Sequence, residues 1–152
     1  MSEKTNDPFQ SEAFRRIEGE HLFQAIAFLL EEGIEFAVAA EVEYLTFDPP
    51  LPEHLAQSLR PLSLFVLSGY TFESCRVDEH SFTFEAGFGQ ENFGSVVELP
   101  LLAIKQLIVG EYPIAINIAD PRPERKNVET ERSMEALLSN PENQRLLKKK
   151  KE

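Results

Sequence analysis

Apolar residues recur every three or four positions from Phe14 to Leu30, stop at Gly33, and from Phe36 onward alternate with polar ones. This change of period, from helical to pleated, restricts the chain to folds with a long helix at the start and mainly strands after it. Between Leu22 and Leu30 the apolar positions cover more than one stripe, because Phe23, Ala25, Ala27 and Phe28 fill places that solvent would normally claim. Such a helix has two surfaces to cover. One belongs against the chain's own sheet; the other is either deeper in the same core or against the same helix of a second copy.

The strands are read from alternation and from the residues that stop them. Phe36, Val38, Ala40, Val42 and Tyr44 predict a half-buried strand, ended by Asp48-Pro49-Pro50-Leu51-Pro52 because proline has no N–H for a sheet ladder. A helical turn over 53–59 precedes a buried strand over 62–67, a turn at Ser68-Gly69 and a partner strand over 70–76. After a turn at 78–80, Phe82, Phe84, Ala86 and Phe88 share one strand face, and a hairpin at 89–94 leads into a strand over 95–99. Pro100 suits the first turn of a helix over 101–109 that Gly110 closes, and a last strand covers 114–118. The order is that of an α+β domain: an N-terminal helix followed by a strongly bent antiparallel sheet.

With 152 residues, 42% of them hydrophobic, the chain has enough apolar content for one domain without a metal or a disulfide. Residues 1–11 are polar and aperiodic and read as disordered, 12–119 as the domain, and 120–152 as a flexible charged tail. A single cysteine, Cys75, fits a reducing compartment. No apolar run is long enough to span a membrane, and the first residues are too polar for a signal peptide, so a cytoplasmic location is expected. Residues 1–120 carry 6 Lys/Arg against 20 Asp/Glu, a net charge of −14, whereas 121–152 carry 9 against 6, a net of +3. An acidic body repels phosphate backbones, which argues against nucleic acid as a partner.

Catalytic groups are sparse. His21, His54 and His80 stand far apart, no metal-ligand spacing occurs, and Cys75 lies mid-strand beside Arg76 alone. There is no GxSxG, P-loop or dinucleotide fingerprint. No enzyme activity, cofactor or metal is expected. What remains is binding: Ala86, Gly87 and Gly89 let another backbone come close, beside phenylalanines that can wall a groove for an extended peptide. Core packing around a bend explains the same pattern, and both readings stay open on the residues alone.

The segment Phe84-x-Ala86-x-Phe88-Gly89, a hairpin, then Leu99-Pro100-Leu101-x-Ala103-Ile104 resembles the central signature of the stringent starvation protein B family. As pattern, the resemblance covers about residues 20–119. It departs from the family at Gln90, in a longer hairpin, at Arg60-Pro61 and in the proline-rich stretch. The resemblance implies an Sm-like bent sheet and a homodimeric adaptor that holds ssrA-type degradation tags in an apolar groove. Such an adaptor delivers tagged proteins to the ClpX unfoldase of the ClpX–ClpP protease. It places Phe84, Ala86 and Phe88 on one wall of the groove and Ile114 and Ile116 on the other. Phe23, Ala27 and Leu30 become the dimer contact, and Arg145, Leu146, Leu147 and Lys148 the segment that docks on the unfoldase. The alternative from another class is a small structural subunit whose groove a partner chain fills.

Overall fold

In the computed structural model, which describes residues 7–121, Ser11 caps the first helix, α1 (Glu12–Glu32), its Oγ accepting from the Phe14 N–H at 3.2 Å. Gly33 ends the helix with φ +71°, a left-handed conformation that glycine adopts without a Cβ clash. Ahead of α1, Pro8–Gln10 form a 3-10 turn capped by Asp7, within the stretch read as disordered. The docking residues Arg145, Leu146, Leu147 and Lys148 lie outside the described residues.

Eight strands follow: β1 (Phe36–Glu41), β2 (Thr46–Asp48), β3 (Leu62–Leu67), β4 (Arg76–Val77), β5 (Ser81–Phe88), β6 (Phe93–Pro100), β7 (Ile104–Val109) and β8 (Tyr112–Ile116). They sort into two four-stranded antiparallel sheets, ordered β3-β1-β7-β8 and β2-β6-β5-β4. Two short helices, α2 (Glu53–Ser58) and α3 (Gly69–Glu73), flank β3 in the chain. The fold is therefore α+β with antiparallel sheets. No helix among the described residues is long and apolar enough to cross a membrane.

The core joins both sheets and one stripe of α1. Leu22, Ile26 and Leu29, spaced four and three apart, meet Phe36 and Val38 of β1, Phe82 and Phe84 of β5, Val97 and Leu99 of β6, and Ile104 and Leu107 of β7. The rings of Phe82 and Phe84 lie tilted to each other with centroids 5.6 Å apart, and that of Phe84 reaches Phe65 at 5.9 Å. Phe23, Ala27 and Leu30, expected at a dimer contact, are half-buried, and Phe23 and Leu30 pack against this core. The apolar side chains that α1 leaves to solvent are Ile17 and Phe28, 59% and 55% exposed.

Three segments differ in secondary structure from the sequence reading, and β3, read as buried, exposes Leu62, Leu64 and Val66. The strand from Phe36 ends at Glu41, and a 3-10 turn over Val42–Tyr44 buries Tyr44 while carrying the chain from the first sheet to β2 in the second. Instead of a strand over 70–76, Gly69–Glu73 is helical, and this places Phe72 edge-on to Phe36 at 6.2 Å and Cys75, one turn later, in the core. The Glu35 carboxylate accepts from the Gly69 N–H at 2.9 Å and so stabilises the start of this short helix. The helix over 101–109 is instead a 3-10 turn over Leu101–Ala103 followed by β7. Its helical spacing has a cause. The pairing of β7 with β1 slips so that Lys105 is an extra residue, and the bulge turns Ile104 and Leu107, three apart, to the same side.

The last described residues are fastened to both ends of the domain. Gln10 bonds to the Ile118 carbonyl (3.1 Å) and accepts from the Asp120 N–H (2.8 Å). Arg15 donates to the carbonyls of Asp120 and Pro121 (3.2 and 2.6 Å), and Lys105 donates to that of Ala119 (2.6 Å). Buried Asn117 donates to the Leu102 and Ile104 carbonyls, both at 3.0 Å.

Candidate functional site

Strand β5 outlasts its partner. It pairs with β6 along its whole length, from Ser81↔Pro100 to Phe88↔Phe93, but on its other side β4 ends with Arg76↔Thr83 and Val77↔Phe82. At the next position along that side, Ser74 substitutes a side chain for a strand: its Oγ accepts from the Glu85 N–H at 2.8 Å and lies 3.5 Å from the Glu85 carbonyl oxygen. Because ladder groups alternate in direction, the N–H and C=O of exposed Gly87 point to the same side, where no strand of the described residues lies.

A cavity of about 510 Å³ opens beside this edge, lined by residues of four regions. Its floor is small: Ala86 faces Ser95 and Gly87 faces Gly94 in consecutive cross-strand pairs. Ser68, Tyr70 and Thr71 at the start of α3 form one wall, Asp48 and Pro49 at the end of β2 another, and Asn92 of the hairpin a third. The Ser95 Oγ donates to the Pro49 carbonyl at 2.9 Å and ties β6 to that second wall. A Cβ on Gly87 would collide with the Asn92 side chain, so the hairpin amide lies directly over this glycine. Asn92 itself has φ +56°, a left-handed conformation that asparagine tolerates better than most residues.

The electrostatics of the site are acidic. Tyr70 OH donates to Glu85 Oε1 at 2.6 Å, and this bond to a carboxylate, followed by its negative charge, holds the phenol above its ordinary pKa. Among the described residues, Asp48 and Glu85 are the charged groups in the lining, with no basic side chain beside them. Cys75 lies outside the cavity; burial pushes its thiol up to about 12, against a smaller lowering by Arg76, so it is protonated and a poor nucleophile. Among the described residues no group of three His, Cys, Asp or Glu side chains is arranged to hold a metal ion.

Of the five side chains expected to line a peptide groove, Ala86 alone lines this cavity. Phe84 shares its strand face but is 1% exposed, locked between Phe65 and Phe82, and is a core residue. Phe88 turns its ring edge-on to Phe47 at 5.7 Å and packs on the core from the side. Ile114 and Ile116 stand on β8, the edge of the first sheet farthest from β3, with Ala115 turned inward between them. The wall expected from β8 is supplied instead by Ser68, Tyr70 and Thr71, which the sequence reading placed in a turn and a strand. One signal for the floor was available: the hairpin register pairs small residues with small ones twice in succession. Compared with protein-family models and with curated proteins, the chain finds no match in either.

Proposed function

We propose that the chain is a non-enzymatic adaptor that binds an extended peptide of the degradation-tag type along the open edge of β5. The observation that carries this reading is the unpartnered edge at Gly87 beside a cavity floored by Ala86, Gly87, Gly94 and Ser95. A peptide strand can there take main-chain hydrogen bonds from Gly87 and set every second side chain into the cavity. The signature around Ala86, similar to that of the stringent starvation protein B family, gives the peptide its class. It also gives the adaptor its Sm-like fold, a cytoplasmic place, a homodimer built on α1, and a ClpX unfoldase docked by Arg145 to Lys148. Ala86→Gln should fill the floor and weaken binding of a fluorescein-labelled ssrA-type peptide at least tenfold, with an unchanged circular dichroism spectrum. Equal binding by the folded variant would remove the cavity from the function.

One observation favours a second reading, an assembly subunit covered by a partner chain. Leu62, Leu64 and Val66 of β3 and Ile116 of β8 are exposed on the outer face of the first sheet; Val66 and Leu64 stand opposite Ala37 and Ala39 of β1, Leu62 opposite Glu41, and Ile116 opposite Gln106 of β7. An apolar face of this kind is common at interfaces. Light scattering on the purified chain separates the readings: a monodisperse monomer or dimer suits the adaptor, and open-ended association suits the subunit.

A further inference from the structure

The register of the second sheet sets Asp48 of β2 opposite Val96 of β6, and Val96 opposite Glu85 of β5. Residues paired across strands project from the same face, so the three side chains form a row on the exposed face of the sheet, opposite to that of Ala86 and Ser95, and all three residues line the cavity. Two strand spacings of about 4.8 Å put the two acidic backbones ~10 Å apart, with exposed Val96 between them. Glu85 commits Oε1 to the Tyr70 hydroxyl, and its Oε2 has no hydrogen bond among the described residues. The Asp48 carboxylate has no hydrogen bond or ion pair among them either. Arg76, on neighbouring β4, donates to the carbonyls of Glu73 and Cys75, at 3.3 and 2.8 Å, rather than to either carboxylate.

Resting on the peptide-cleft reading above, we propose that this site selects peptides by charge, taking a lysine or arginine over the Asp48–Val96–Glu85 row. The aliphatic stem of such a side chain lies along Val96 while its cation sits between two carboxylates, so one residue satisfies the apolar centre and the acidic flanks together. An aspartate or glutamate there meets two like charges with no counter-charge in the lining among the described residues, on a body whose net charge is −14 over residues 1–120. The row thus argues for a basic or neutral tag rather than an acidic one.

The test uses the full chain and fluorescein-labelled 11-residue peptides of alanine, serine and asparagine, in which Lys, Ala or Asp is placed at each position in turn. Fluorescence anisotropy should find one position where Lys binds tightest and Asp weakest, spread by about tenfold at low salt. That spread should shrink to about twofold at roughly 0.5 M salt. The double variant Glu85→Gln, Asp48→Asn should bring the three peptides to within about twofold of one another, and the amide that replaces the Glu85 carboxylate keeps a carbonyl that can accept from Tyr70. If the neutral peptide binds and Ala86→Gln abolishes it, yet Lys, Ala and Asp bind alike or Asp binds tightest, charge selection is overturned and the cleft stands. If no peptide binds, both fall.

Discussion

Ala86 and Phe84 stand two residues apart on one strand and face the same way, yet one floors a cavity and the other is sealed in the core. The difference lies in what covers them: Phe65 of β3 reaches Phe84, whereas Ala86 lies three residues past Thr83, where the pairing with β4 ends. Phe84→Ala is therefore expected to cost about 3–5 kcal/mol in urea unfolding, the range for deleting a buried aromatic ring. A ring lining an open groove would cost far less, so a small change in the urea midpoint would return Phe84 to the site. At this scale the sequence showed which residues share a face, because period 2 is local. It did not show where along the face burial ends, because that depends on β3 and β4, which are fixed by long-range pairing.

Helix α1 shows how an element can be recognised from sequence while the packing of its surfaces cannot. Its caps, Ser11 and Gly33, and its apolar spacing were legible, since each is set by residues within a turn or two. Which apolar stripe faces inward was not legible: Phe23 and Leu30 pack on the core, and Ile17 and Phe28, eleven residues apart and hence on one side of a 3.6-residue helix, remain outside. Phe23→Ala should accordingly destabilise the isolated fold by about 2 kcal/mol in urea. Phe28→Ser should leave that midpoint unchanged and, if α1 mediates a homodimer, shift the chain toward monomer in sedimentation equilibrium. A dimer indifferent to Phe28→Ser places the contact on another surface. Strand β7 was misread for a related reason, since a bulge at Lys105 gives a strand the inward spacing of a helix.

For the whole molecule, two buried groups set a limit in alkali. Burial raises Cys75 from near 9 to about 12, and burial together with the neighbouring Glu43 raises Tyr44 from 10 to about 12. In both cases the folded chain holds a proton that the unfolded chain releases sooner. The stability they contribute is complete below about pH 9 and is lost as pH rises toward 12. Urea midpoints should fall between pH 8 and roughly 10.5, and Cys75→Ala should delay the onset of that fall; an unchanged onset would mean that the thiol is not buried in solution. The fold class was legible from the order of periods. The division into two sheets was not, because the 3-10 turn at Val42–Tyr44 that moves the chain between them carries an apolar pattern continuous with β1. The fastening at Ile118 to Pro121 has a mechanical consequence. A pull on the chain from beyond Pro121 loads Gln10, Arg15, Lys105 and Asn117 together, anchors about a hundred residues apart in sequence, before it reaches β8.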